Sequence, residues 1–336
     1  MFFYVIRRLF SAVALLIVMS IVTFLLFYAT PTDPARLTCG KNCSPTGIAN
    51  NRKYLGLDKS LTAQYFDFAG GFFRERQFPA DADLRKARPD LVIHCAAPCL
   101  GYSPFRNSLI WSFLKPRIPV TVSLAIGAFI MWMISGVILG IIAALRRGKF
   151  ADRTIVGGAL VFYSFPTFFL SLLVLQVVVF QLNLMQTPVY TPISEGLGPY
   201  LYNLFLPCLT LALVFAAAYV RITRTYMLET MGEDYLRTAR AKGLKSNKII
   251  FKHTLRAALT PIITLAGLDL GALLAGAPIT ETVFGFQGVG YTAVQAALQF
   301  DLPMTVVIVL LSAAFVIFAN LVVDVLYGVV DPRVRY

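Results

Sequence analysis

The chain has 336 residues, of which 57% are hydrophobic and only 14% are charged, with a mean hydropathy of +0.71. Soluble domains carry about 25% charged residues, so this composition excludes an ordinary soluble protein and indicates a polytopic membrane protein. The net charge of +13 is then no argument for nucleic acid, because basic residues collect in the loops of membrane proteins and set their orientation.

The first apolar segment, Leu9 to Tyr28, follows Arg7-Arg8. It is longer than a signal-peptide core and no A-x-A site follows, so a retained helix is predicted over residues 1–29. Residues 30–116 form a long polar segment with more bases than acids. Five further apolar spans follow: Thr121 to Leu145, Thr154 to Leu182, Tyr202 to Val220, Pro261 to Ala277 and Met304 to Tyr327. Thr260 and Pro261 read as the cap and first turn of the fifth. The loops alternate in charge. Arg146-Arg147-Gly148-Lys149 follows span two, and 183–200 has no Lys or Arg. Nine bases lie in 221–256, and 278–303 has none. Both termini and the 221–260 stretch are therefore expected on the cytoplasmic side, and 30–116 outside. Long external segments largely escape the charge rule, and a small solvated domain accounts for the bases there.

The stretch from Glu233 to Arg256 is polar between two greasy spans. Glu233 and Asp234 open a short helix, and Arg237, Arg240 and Lys242 fall toward its end, which suits the helix dipole. Gly243 is suited to a left-handed helix stop, with Ser246 or Asn247 as a cap for the next helix. Leu236, Ala239 and Gly243 share one face. Such an amphipathic hairpin is too short to cross a bilayer and needs a partner for its apolar side. An ordinary solvated loop is the plain alternative on periodicity alone.

Cys39, Cys43, Cys95 and Cys99 all lie in the external segment and suggest two disulfides, with three pairings open. A zinc site using His94 is the sharper and less favoured reading. Cys208 stands alone in span four. Asp269, inside span five, is a candidate for the solute pathway or for proton coupling, weighed evenly against a carboxylate satisfied by a neighbouring helix. Asp324 reads as structural. Gly288 to Gly290 reads as a re-entrant gate or a turn. No phosphate-binding loop, catalytic triad or metal-hydrolase spacing is present, so the chain is expected to be non-catalytic.

The run Asp234-Tyr235-Leu236-Arg237-Thr238-Ala239-Arg240-Ala241-Lys242-Gly243-Leu244, continued by His253-Thr254-Leu255-Arg256-Ala257-Ala258-Leu259-Thr260-Pro261, resembles the cytoplasmic "EAA" loop of permeases in ATP-binding-cassette importers. The version is that of the dipeptide/oligopeptide/nickel family. Ile6-Arg7-Arg8-Leu9, Leu55-Gly56-Leu57-Asp58-Lys59, Glu281-Thr282-Val283-Phe284 with Gly288-Val289-Gly290, and Asp331-Pro332-Arg333 are similar to the family's other signatures. Departures are Thr32 for Gly, Ser60 and Gln287 for Pro, and an apparent insertion over 74–100.

The resemblance implies an all-α integral membrane protein of the type I importer kind. It would have six transmembrane helices and a five-helix core over 117–336 holding the coupling hairpin 221–260. It implies a second related permease, two ATPase subunits carrying ATP and Mg, an external solute-binding protein, surrounding lipid and a small peptide as solute. It implies ATPase coupling through residues 234–243, and a pathway or gate role for Asp269, Glu281, Phe284, Gly288 and Gly290. It places the chain in the inner membrane of a prokaryote. A proton-coupled carrier using Asp269, an importer of nickel chelates, and a membrane scaffold are the alternatives.

Overall fold

The structure, a computed structural model, describes residues 2–29, 33, 35–36 and 44–330, with only the backbone of 2–5 and 324–330. Among the described residues five helices are long and apolar enough to cross a membrane, and a bent pair makes up to six. The helix α1, Phe2–Tyr28, presents Leu15, Val18, Val22 and Leu26 about half exposed to its surroundings. Such a surface is stable only in apolar surroundings, lipid or a neighbouring membrane helix.

The segment after α1 is built on short elements: α2 (Pro45–Leu55), α3 (Leu61–Gly70) and α4 (Ala82–Ala87), with two antiparallel ribbons. β1 (Arg76–Phe78) pairs with β2 (Ile93–Cys95), and β3 (Tyr102–Ser103) with β4 (Ser108–Leu109). Ser44 and Ser60 cap α2 and α3 by accepting from Gly47 N and Ala63 N, so two helix starts are fixed locally. A Cys95–Cys99 disulfide closes the turn after β2, with Cα atoms 5.4 Å apart. Cys39 and Cys43 lie outside the described residues. The segment is no detached domain. Phe68, Leu100, Ile110 and Leu114 join Phe24 of α1 and Met304 of the last helix in one buried cluster.

After α5 (Ile110–Leu114), the helix α6 (Ile118–Leu145) packs along α9 (Leu197–Met231), the most extensive helix pairing in the chain. Small residues permit it. A Cβ at Gly136 would lie 2.7 Å from the Tyr219 Cβ, and one at Gly140 2.5 Å from the Thr223 Cβ. In lipid, where apolar burial drives little association, such close backbone approach is what holds helices together.

The third predicted span is broken. α7 (Phe150–Ser164) and α8 (Thr167–Gln181) meet at 103°. Pro166 is the cause: Phe165 before it sits in extended backbone, φ −85° and ψ 134°, as the pre-proline clash requires. The fifth span also differs from expectation. A continuous helical run α11 (Ser246–Leu274), with a π-helical stretch at Ile249–Thr254, carries Pro261 inside it rather than at its start. Lys245, not Ser246 or Asn247, is the residue at its cap, and no side chain closes it. α12 (Pro278–Val283) and α13 (Val289–Leu298) fill the loop before the last helix α14 (Leu302–Val330). α14 packs on α1 and α11.

Candidate functional site

The polar hairpin is carried on an overlong helix. α9 has 35 residues, about 52 Å at 1.5 Å per residue, against about 30 Å of hydrocarbon. Its last turns project as an arm that ends at Gly232. Glu233, extended at φ −66° and ψ 143°, then opens α10 (Asp234–Ala241). The stop at Gly243 has φ +76°. Gly243 N donates to Arg240 O at 2.9 Å and Leu244 N to Ala239 O at 3.3 Å, the paired bonds of a Schellman end. No atom lies within 4 Å of a Cβ built there, so the backbone angle alone demands glycine.

α10 packs back on the π-helical stretch of α11. Leu236 and Ile249 are fully buried, so the hairpin satisfies part of its own apolar face. Ala239 is half-buried, and Gly243 is exposed rather than part of a covered stripe. Tyr235 and Phe251 remain 48% and 58% exposed, two aromatic rings on a basic, projecting element. Arg237 and Asp234 form a 3.3 Å pair at the surface, where an ion pair contributes little.

An unforeseen contact ties this arm to the broken span. Asp152, buried at the start of α7, accepts from Arg224 Nε at 2.7 Å, Arg224 Nη2 at 2.9 Å and Gly148 N at 2.8 Å. Asp152 lies between Lys149 and Arg153, and in sequence reads only as a lone acid in a basic loop. Nothing local marks a partner 72 positions away.

Glu281, Gly288 and Gly290 are brought together on the opposite side. Glu281 is fully buried. Its carboxylate accepts from Thr121 Oγ1 at 2.8 Å, Tyr291 N at 2.6 Å and Ala277 N at 3.4 Å. Thr121 Oγ1 in turn accepts from Val289 N at 2.8 Å. Burial pushes the Glu281 carboxyl above its ordinary value, and these donors oppose the shift. The knot is tight: a Cβ at Gly288 would fall 2.5 Å from Thr121 Oγ1 and 2.6 Å from Glu281 Oε2. Gly276, at φ +127°, and Gly290 meet backbone to backbone, the Gly276 Cβ position lying 2.9 Å from Gly290 Cα. Phe284 is buried beside Phe286 in the main core. Thr121 was not singled out in sequence, since a threonine in an apolar span carries no signal of its own.

Asp269 stands apart from that knot. It is half-buried on α11 and accepts a hydrogen bond from Tyr219 Oη of α9 at 2.6 Å. Tyr219 is fully buried, so one carboxylate oxygen is fixed by a rigid neighbour. Among the described residues no group of three or more His, Cys, Asp or Glu is placed to hold a metal ion. The described members of the suggested zinc set are otherwise engaged: Cys95 in its disulfide and His94 with Glu75 at 2.7 Å.

A bundle of apolar spans, one polar projecting hairpin and a tightly knotted loop before the last helix define a multi-pass membrane transport subunit. Residues 1–125 and 136–336 match, respectively, the N-terminal and main parts of the binding-protein-dependent transport system inner membrane component family, and the chain belongs to that family. It is a permease, a non-catalytic membrane component of an ABC transporter. A probable peptide ABC transporter permease protein of Sinorhizobium fredii is 32% identical over 333 residues, covering 99% of both chains. The dipeptide transport system permease protein DppB of Escherichia coli K12 is 34% identical over 359 residues, covering 99% of this chain and 98% of its own. The di/tripeptide permease DppB of Pseudomonas aeruginosa is 33% identical over 356 residues, again covering 99% and 98%. In fold, a chain of the inward-facing MetNI methionine ABC transporter superposes with a TM-score of 0.54 at 16% identity, covering 66% of this chain and 97% of that one.

Proposed function

We propose that this chain forms one half of the pathway of a peptide importer and that its hairpin 233–256 is the seat of a companion ATPase. The three relatives, named as peptide, dipeptide and di/tripeptide permeases, favour small peptides over nickel chelates. The observation that carries the hairpin assignment is mechanical. A Schellman-closed helix bearing exposed Tyr235, followed by the π-helical turn that bears exposed Phe251, stands beyond the end of a continuous 35-residue helix. A force applied there crosses the two-residue link Gly232–Glu233 and is then carried along α9 into the bundle. ATP and Mg belong to the two ATPase chains, the second half of the pathway to a related permease, and solute delivery to an external binding protein.

The charge pattern puts the hairpin and both termini in the cytoplasm. The hydrogen bonds agree with that pairing of sides. Gly148 and Arg224 meet at Asp152 on the basic side, while Ser103 and Asp301 meet on the other. The three-part division 1–29, 30–116 and 117–336 follows the same lines. Asp269 is assigned to the pathway wall with Tyr219 fixing its rotamer, since an ionisable group held half-open in a span is retained for a purpose. The Gly276–Tyr291 loop is assigned to the outer gate, with Glu281 as its internal fastening rather than a solute contact.

Deleting 233–256 should abolish co-purification of the ATPases while the chain still inserts in the membrane. Undiminished co-purification would refute the assignment.

A further inference from the structure

The helix α3 and the turn after it lie too deep to be in water. On α1, Val22, Leu25 and Leu26 are 49%, 47% and 58% exposed, so the apolar layer of the membrane reaches at least to Leu26. Yet α3 contacts α1 below that level. The Tyr65 ring lies 5.5 Å from that of Phe24, the Phe68 ring 5.9 Å from it, and Tyr65 Oη reaches 3.5 Å from Ser20 Oγ. Ser20 is six residues below Leu26, about 9 Å along the helix. The outward side of α3 agrees: Phe66 is 69% exposed, Phe73 90% and Leu61 41%.

Between α1, α3 and α14 runs an apolar groove of about 520 Å³, reaching from Phe73 and Ala69 down to Val13 and Leu311. Val13 to Ser20 accounts for about 10 Å of rise, a length suited to an acyl chain.

We propose that α3 and the Phe72–Phe73 turn are seated in the membrane leaflet on the external side, and that the groove holds an acyl chain of a phospholipid. The groove is continuous with the lipid-facing surfaces of two spanning helices, which commits it to lipid rather than to a soluble partner. The inference rests on membrane insertion and not on the solute carried or on the hairpin's role.

The assembled transporter in lipid nanodiscs tests it. Phe73→Trp and, separately, Phe66→Trp add one indole each, read after subtraction of the emission of Trp111 and Trp132 in the parent protein. Phospholipid brominated along its acyl chains should remove most of the added emission, and aqueous acrylamide little of it. Emission retained in brominated lipid overturns the seating, whether acrylamide quenches it, meaning water, or does not, meaning cover by a neighbouring subunit. For the groove itself, the parent protein should retain a bound phospholipid in native mass spectrometry, and Ala69→Phe, which fills the groove, should lose it. Equal retention by both overturns the groove as its seat.

Discussion

Glu281 is surrounded by groups that only donate or that already have an acceptor role filled. Tyr291 N and Ala277 N offer hydrogens, and Thr121 Oγ1 is bound to accept from Val289 N, so its own hydrogen goes to Glu281. A glutamine would turn an amide NH2 toward one of these donors. Glu281→Gln should therefore cost about 1–3 kcal/mol, the range for an unsatisfied buried polar group. Thr121→Val should cost a similar amount and Thr121→Ser much less, read as loss of monodisperse protein on heating. Equal tolerance of Val and Ser at 121 would show that the hydroxyl does not hold the loop. At Gly243 the argument differs, because space is open and only φ matters. Gly243→Ala should cost about 1 kcal/mol and leave the rest of the fold alone.

At the scale of elements, Asp152 and Arg224 join the broken α7–α8 pair to the arm of α9. The bond is bidentate and Asp152 is buried, so Arg224→Ala leaves a carboxylate with Gly148 N alone. That should destabilise by about 2 kcal/mol, in the range of a charged hydrogen bond. It should also lower solute uptake while ATPases still bind, because the hairpin's displacement no longer reaches α7. Exchanging the two charges should not rescue, since an arginine at 152 offers Gly148 N no acceptor. Rescue by exchange would mean that charge alone matters. These elements also show what hydropathy reads and what it misses. The existence of the spans and the amphipathic hairpin were legible, because burial in lipid and a motif of fixed chemistry leave marks in a single stretch. The break at Phe165–Pro166 was hidden inside a uniformly apolar run. Pro261 misled in the other direction: it was read as a helix start, and the helix runs through it. A proline only removes one donor and one conformation. Whether the helix breaks there depends on neighbours that lie far away in sequence. Likewise the fourth span reads as ending near Val220, where charge begins, but Arg, Glu and Met are good helix formers and α9 continues to Met231.

Across the whole molecule, the segment between α1 and α6 is fastened to the last loop by one buried acid. Asp301 accepts from Ser103 Oγ and from Met304 N, and Arg106 Nε lies 3.7 Å away. Burial raises its carboxyl above the ordinary 3.8, with Ser103, Met304 and Arg106 opposing the shift in that order. The folded chain therefore holds this proton more tightly than the unfolded one. Stability is greatest below the ordinary value and falls as pH rises through the window between it and the raised one. Asp301→Asn supplies a neutral group that still caps Met304 N and donates to Ser103, so it removes the titration without removing the fastening. The thermal midpoint of the parent minus that of Asp301→Asn should then decline as pH is raised from about 4 toward neutrality. A difference that grows with pH would mean that Ser103 and Arg106 outweigh burial. The joint between the segment after α1 and the bundle would then be an ion-stabilised contact rather than a dry one.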